Sequence, residues 1–122
     1  MKVYQYEKCE SCRKAIRWLN EKGIEHKILP IREKSPTKKE FLQMIKSHDG
    51  QLKKLFNTSS KDYRDPNVKE KIPNLTQEQI ISLLQEHGNL IKRPFVVGDQ
   101  LALQGFKPDL WEEAFNPKKK LI

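Results

Sequence analysis

Residues 3–19 read VYQYEKCESCRKAIRWL, and two different hydrophobic periods meet within them. The opening VYQY is short and rich in β-prone side chains, which favours a strand. After a polar turn, Cys12, Ala15 and Leu19 recur at the spacing of one face of an α-helix. The stretch therefore predicts a strand that leads directly into a helix, with two cysteines where one passes into the other.

The chain that follows continues this unit into a second strand. Gly23 comes just after the last apolar residue of the helical pattern, where a left-handed glycine most easily ends a helix. Residues 24–31 then resume a strand-like alternation of side chains. The first forty residues are thus expected to form a βαβ unit.

The middle of the chain is expected to be helical. Helices are predicted over residues 37–50 and 76–88, because each range opens with a capping-box pattern and ends at a glycine. The first box pairs Thr37 with Glu40, three residues later. Residues 51–75, between the two helices, fit short helical turns and loops.

The last third of the chain predicts two strands and a helix. Residues 95–103 fit a hairpin whose turn is Gly98-Asp99, and Pro108 opens a helix that reaches Phe115. The full order of elements is therefore βαβ, a group of helices, and ββα.

The chain has the size of one domain. Its 122 residues suffice to bury a single hydrophobic core, so we expect one domain over residues 1–122 with a helical insert over about residues 37–88. The chain is 36% hydrophobic and has no run long enough to cross a bilayer, so no membrane partner is expected. The first ten residues lack the apolar stretch of a secretory signal. We therefore expect a cytoplasmic protein whose cysteines are reduced at rest.

The chain carries a net charge of +8, which attracts anionic partners in general. Its basic residues are spread along the sequence and mixed with acids, and the only dense run is Lys118-Lys119-Lys120. No aromatic-rich strand accompanies the charge, as a nucleic-acid-binding surface would require. The charge is therefore interpreted as a solvated surface, and no direct contact with nucleic acid is expected.

The motif Cys9-Glu10-Ser11-Cys12 lies at the predicted junction of strand and helix, a placement typical of thiol–disulfide exchange. Two residues between the cysteines allow the sulfurs to meet across the first helical turn. Free backbone N–H groups at a helix start also favour a thiolate. Cys9 is the predicted nucleophile, and Cys12 is the predicted resolving thiol.

Two other interpretations of the cysteine pair stay open. A structural zinc site needs four ligands, whereas the chain has no second cysteine pair and His26, His48 and His87 stand far apart, so no metal is predicted. His48 and His87 instead fit the ends of helices, where a cation suits the helix dipole. The remaining alternative is two ordinary buried cysteines.

Arg93-Pro94 precedes the predicted hairpin. A cis bond at this proline would turn the backbone toward the cysteines, and Arg93 would then point at Cys9, stabilising its thiolate or holding an oxyanion. The alternative is a proline that merely starts an edge strand, with Arg93 in solvent.

Further polar and aromatic residues have two interpretations each. Lys61, Arg64 and residues 57–60 would either hydrogen-bond a loop to itself or line an anion site. Trp18 and Trp111 fit packing positions better than ligand-binding ones.

With these residues identified, the chain resembles the arsenate reductase and Spx family of thioredoxin-like proteins over nearly its whole length. The resemblance rests on separated motifs in the same order: Cys9-Glu10-Ser11-Cys12-Arg13-Lys14-Ala15 with Trp18-Leu19, Asn57-Thr58-Ser59, Leu90-Ile91-Lys92-Arg93-Pro94, and Gly105-Phe106 before Trp111.

The resemblance implies a fold and a site. The fold is α/β and thioredoxin-like, with a mixed four-stranded sheet flanked by helices and the helical insert. Cys9 is implied as the redox-active thiol, Cys12 as its partner, and Arg93 as the residue before a cis Pro94 near the thiols. Arg64 and Arg93 match arginines of the oxyanion site, which makes Arg64, Arg93 and Pro94 candidate substrate-binding residues.

Three functions follow from the family. The first is a dithiol oxidoreductase or redox sensor, with glutathione, glutaredoxin or thioredoxin as electron donor. The second is a glutaredoxin-coupled arsenate reductase, although such enzymes carry one catalytic cysteine after His-Asn-Pro, where this chain has Tyr6-Glu7-Lys8. The third is an Spx-like regulator that binds the RNA polymerase alpha subunit. No cofactor is implied apart from glutathione as a co-substrate.

Overall fold

A mixed four-stranded sheet in the order β2-β1-β3-β4 organises the molecule. In the computed structural model, which describes residues 1–115, β1 (Lys2–Gln5) runs parallel to β2 (Lys27–Pro30). It runs antiparallel to β3 (Phe95–Gly98), which forms a hairpin with β4 (Leu101–Gln104). This is the sheet that the sequence resemblance implied. The basic run at residues 118–120 lies outside the described residues.

The helices occupy the positions expected from the sequence. They are α1 (Glu10–Glu21), α2 (Lys38–Ser47), α3 (Lys61–Arg64), α4 (Pro66–Lys69), α5 (Gln77–Glu86) and α6 (Pro108–Phe115). Short turns of 3-10 helix lie between α2 and α3 (Leu52–Leu55), between α4 and α5 (Ile72–Asn74), and between α5 and β3 (Gly88–Leu90). None of the helices within residues 1–115 has the length and hydrophobicity to cross a membrane.

Local sequence signals explain where the longer helices begin. Thr37 and Thr76 each accept a hydrogen bond from the backbone three residues later, and each completes the predicted capping box. Gly23 follows α1 with φ of +66°, the left-handed conformation predicted for it.

Several predicted boundaries were wrong. Helix α2 ends at Ser47, before Gly50, and the hairpin turn is Asp99-Gln100, because Gly98 pairs with Leu101 as the last residue of β3. The boundaries of β2 and α5 differ for identifiable reasons. Strand β2 does not begin at Ile24, because the Ile24 N–H donates to the Leu19 carbonyl at 3.0 Å and so belongs to the end of α1. Helix α5 ends at Glu86, before Gly88. A Cβ atom at Gly88 would lie 2.6 Å from the Ile31 carbonyl oxygen, so this glycine permits a close backbone approach to the chain after β2.

The sheet separates two hydrophobic cores. Alternate strand residues face opposite sides, so Val3 and Val96 pack toward α1 and α6 while Tyr4 and Phe95 pack toward the insert. Trp111 is buried in the first core, in a T-shaped contact with half-buried Trp18 at 5.7 Å between ring centroids. Both tryptophans therefore pack, as their positions in the sequence predicted.

A nearly buried carboxylate ties β1 to α2. Glu40 accepts hydrogen bonds from the Tyr4 hydroxyl at 2.7 Å and the Thr37 N–H at 2.9 Å, and its other oxygen lies 3.3 Å from the Lys2 ammonium. Burial alone would raise the pKa of Glu40, but these three donors together hold it below its ordinary value of 4.5. The ionised carboxylate is thus part of the folded structure.

Replacing Glu40 with Gln is expected to lower the free energy of unfolding by about 2 kcal/mol at neutral pH, since charge-assisted hydrogen bonds are lost. Because the pKa of Glu40 is depressed in the folded state, its contribution is complete above the unfolded-state pKa and disappears as pH falls through the folded-state pKa. Urea titrations of both proteins from neutral to acidic pH measure this difference. Glu78→Gln, at an exposed ion pair with Lys38, is the matched control and should change little. A Glu40→Gln deficit that persists undiminished in strong acid would contradict the assignment.

Candidate functional site

Cys9 lies at the N-cap of α1, at the junction predicted from the sequence. Its backbone is extended, with φ of −91° and ψ of 119°, and its sulfur accepts a hydrogen bond from the Cys12 N–H at 3.4 Å. The Cys9 N–H donates to the Tyr6 carbonyl at 3.0 Å, which closes the turn between β1 and α1. The half-buried sulfur therefore occupies the place where unpaired N–H groups of the helix favour negative charge.

Cys12 lies one turn further along α1 and is fully buried. Burial raises the pKa of its thiol to about 12, and the neighbouring Cys9 sulfur acts in the same direction. A backbone hydrogen bond from Tyr6 and the charge of Arg93 act in the opposite direction without reversing the shift. Cys12 is thus a protonated thiol at neutral pH. Both cysteines are free in this structure.

Arg93 lies in the segment before β3, and its charge acts on the Cys12 thiol. The Arg93–Pro94 peptide bond is cis, as predicted, and buried Pro94 leads into β3, beside β1. The guanidinium carbon lies 5.2 Å from the centroid of the Tyr6 ring. Arg93 is half-buried, and its Nε atom is buried with no hydrogen-bond partner among residues 1–115. Arg93 thus lies against Tyr6, close enough for its charge to act on the Cys12 thiol, and it has an unused donor.

Tyr6 and Arg32 belong to the same site, although the sequence patterns did not single them out. The Arg32 guanidinium carbon lies 4.8 Å from the centroid of the Tyr6 ring, which therefore contacts two cationic groups. Tyr6 follows β1 and Arg32 follows β2, at the carboxyl ends of two parallel strands. That shared edge of the sheet was the signal that would have identified them.

Arg64 is not joined to this group. It is exposed in α3 and donates a hydrogen bond to the Ser59 carbonyl at 2.9 Å, and no hydrogen bond or ion pair of the described chain connects it to Cys9, Cys12 or Arg93. The Ser60 hydroxyl accepts from the Tyr63 N–H at 3.0 Å. The loop thus bonds to itself, which was one of its two interpretations. A substrate-binding role for Arg64 stays a prediction.

No group of three or more metal-ligating side chains occurs within residues 1–115. His48 lies at the C-cap of α2, where its Nε2 atom is 2.9 Å from the Gln104 side-chain oxygen. His87 lies at the C-cap of α5. Both histidines therefore lie at helix ends, as predicted.

The sheet, the helix-capping Cys9 and the nearby cis-proline define a thioredoxin-like protein with a Cys-x-x-Cys pair. More narrowly, the chain belongs to the ArsC family, whose model matches residues 4–114. It is 41% identical over 110 residues to the uncharacterized protein YusI of Bacillus subtilis (strain 168), covering 90% of this chain and 93% of that one. It is 31% identical over 101 residues to the global transcriptional regulator Spx of Staphylococcus epidermidis, covering 83% and 76%. The crystal structure of a putative ArsC family related protein from Bacteroides fragilis superposes with a TM-score of 0.80 at 39% identity, covering 93% and 97%.

The different environments of the two thiols predict different reactivity. Iodoacetamide at neutral pH is expected to modify Cys9 about a hundredfold faster than Cys12 or more, because Cys12 is buried and its pKa is raised to about 12. Mass spectrometry of timed, acid-quenched samples measures both rates. The Cys12→Ser variant reports the Cys9 rate alone, and unfolding in urea should make the two rates similar. Equal rates in the folded protein would contradict the assignment of Cys9 as the reactive thiol.

Proposed function

We propose that this protein is a thiol–disulfide redox protein, either a dithiol oxidoreductase or a redox sensor, in which Cys9 is the nucleophile. The observation that carries the proposal is the position of the Cys9 sulfur at the N-cap of α1, 3.4 Å from the Cys12 N–H. At this position Cys9 is half-buried, and its sulfur bonds to an N–H group of the first helical turn, an environment typical of reactive cysteines.

The reaction transfers two electrons from the dithiol to a substrate disulfide. The Cys9 thiolate attacks one sulfur of the substrate, forming a mixed disulfide and releasing the other substrate sulfur as a thiolate. Cys12 then attacks the Cys9 sulfur, its proton passes to the leaving thiolate, and the second substrate thiol departs. The products are a Cys9–Cys12 disulfide and two reduced substrate thiols.

Arg93 is suited to the second of these steps. Cys12 must lose its proton to react, and burial opposes the charged form. The guanidinium favours the Cys12 thiolate electrostatically, because its charge acts to lower the pKa of that thiol. We therefore assign Arg93 to the stabilisation of the resolving thiolate while it attacks.

Glutathione, glutaredoxin or thioredoxin would return electrons to the oxidised protein. Lys8, Glu10 and Arg13 lie close to Cys9 in the sequence, and their side chains are exposed and carry charges of both signs. A donor thiol must approach from this side, because Cys12 lies in the interior. A reducing cytoplasm would keep both cysteines as thiols, the form in which the structure has them.

A redox titration tests the proposal. In glutathione buffers of graded potential, the protein should convert between dithiol and intramolecular disulfide in one transition, its ratio changing tenfold per about 30 mV. Thiol trapping followed by mass measurement reads the populations. Cys12→Ser should accumulate only a mixed disulfide at Cys9, and Cys9→Ser should lose exchange activity. Ser11→Ala, between the cysteines on an exposed position, is the matched control and should titrate like the unaltered protein. Full exchange activity in Cys9→Ser would disprove the proposal.

Arsenate reduction is a second candidate, and the partnerless Nε of Arg93 favours it. A buried N–H donor beside a reactive thiol would be satisfied by an oxyanion. The test is turnover of arsenate by the protein with glutathione and glutaredoxin. Arg93→Lys should then lose most of the rate, because it keeps a charge but removes the planar donor. Absence of turnover by the unaltered protein would eliminate this candidate.

A third candidate is a regulator, which the similarity to Spx of Staphylococcus epidermidis supports. In this function the dithiol would act as a redox-controlled switch for binding the RNA polymerase alpha subunit. Purified alpha subunit should bind the protein in one redox state more tightly than in the other. Failure to bind in both states would exclude a regulator of this kind.

A further inference from the structure

A cavity of about 190 Å³ lies apart from the cysteines, between the C-terminal end of β4 and α6. Lys54, Lys92, Lys107 and His48 contribute to its lining, and neither cysteine nor Arg93 does. These four residues come from α2, the following 3-10 turn, the segment before β3 and the segment before α6. Distant parts of the chain thus converge on one small space.

The charges around this cavity are of one sign. No carboxylate lines it, and within residues 1–115 none of the three lysines forms an ion pair. The three lysines are exposed around a partly open cavity, and their ammonium groups repel each other in the absence of a counter-ion. An anion in the cavity would therefore be stabilised by each of them.

Gln104 fixes the positions from which the cationic side chains extend. Its Nε2 group donates to the carbonyls of Leu55 and Lys92, each at 2.9 Å. Its Oε1 atom lies 2.9 Å from His48 Nε2, and because both amide hydrogens are used, this oxygen accepts from the histidine. The Gln104 side chain thus holds three positions around the cavity. These are His48, Lys92, and Leu55, which is the residue next to Lys54.

Gly105 makes room for Lys92. A Cβ atom at this position would lie 2.8 Å from Lys92 Cε and 3.5 Å from its Nζ, so the lysine chain passes directly over the glycine backbone. The φ of Gly105 is +77°, a conformation that side chains rarely adopt. The absence of a side chain at Gly105 thus leaves room for the Lys92 ammonium group beside the cavity.

The remaining wall is apolar. Leu103, Leu110 and Trp111 line it, and Leu110 is 53% exposed. The Trp111 indole N–H donates to the Gly105 carbonyl at 3.1 Å, which sets the orientation of the ring. A ligand with both an anionic group and a small apolar group would match the two kinds of wall.

We propose that this cavity binds a small phosphate-bearing molecule. The phosphate would lie among Lys54, Lys92 and Lys107, and the organic part would lie against Leu103 and Leu110. A phosphate dianion offers several acceptor oxygens to separate ammonium groups, which a single carboxylate offers less well. The site is independent of the thiol chemistry proposed for Cys9.

Calorimetric titration of the reduced 122-residue protein with phenyl phosphate and with inorganic phosphate tests this proposal. Saturable binding is expected for both. Tighter binding of phenyl phosphate would assign the site to organic phosphates, and equal affinity would assign it to the free anion. In either case, Lys54→Gln combined with Lys107→Gln should weaken binding by about tenfold or more. Both lysines are exposed, so the double variant is expected to fold.

Lys53→Gln is the matched control, because Lys53 is exposed on the same 3-10 turn as Lys54 but does not line the cavity. Its affinity should equal that of the unaltered protein. Equal weakening by Lys53→Gln would show only a general attraction to a cationic protein and would overturn the proposal. Absence of saturable binding would overturn it as well. Binding that survives in the double variant but is lost in Arg93→Gln would place the anion beside the cysteines instead.

Discussion

The rest of the site depends on a sulfur atom that serves as the N-cap of α1. Serine, threonine, aspartate or asparagine normally fill this position and bond the first free N–H groups of a helix. Here the Cys9 sulfur accepts from the Cys12 N–H at 3.4 Å, and sulfur is a weak hydrogen-bond acceptor. The turn is instead held from outside, by the Tyr6 carbonyl and by the pairing of β1 with both of its neighbours. The sulfur is thus placed by the sheet and remains available for chemistry.

The two sides of the sheet contribute differently to this arrangement. On one side, α1 packs through Ala15 and Leu19 against Val3 and Trp111, which fixes the direction in which the helix leaves the strand. On the other side, Tyr4 joins the core of the insert and its hydroxyl is held by Glu40. Strand β1 is therefore immobilised from both faces immediately before the cysteines. A reactive group needs such rigid support to keep its geometry.

Local patterns predicted the elements that local physics determines. The helix start at Cys9, both capping boxes and the left-handed Gly23 follow from the residues themselves. The contacts of Tyr6 with Arg32 and Arg93 do not, because they join segments that meet only when β1, β2 and β3 assemble. Arg64 is a different case: its family position suggests an anion site, its side chain bonds to the Ser59 carbonyl in its own loop, and its substrate-binding role stays a prediction. Motif order thus located the cysteines and Arg93, but side-chain contacts across the sheet required the structure.

Gly88 brings the insert against the carboxyl end of β2, where Arg32 lies. A Cβ atom there would lie 2.6 Å from the Ile31 carbonyl oxygen and 3.1 Å from Arg32 Cα, so the two backbones touch without an intervening side chain. Any larger residue would force a shift of the backbone at position 88 or at residues 31–32, next to the guanidinium that contacts the Tyr6 ring. The absence of a side chain at position 88 therefore sets how closely the insert can approach the end of β2. The insert therefore meets the strand end that carries Arg32 by direct backbone contact.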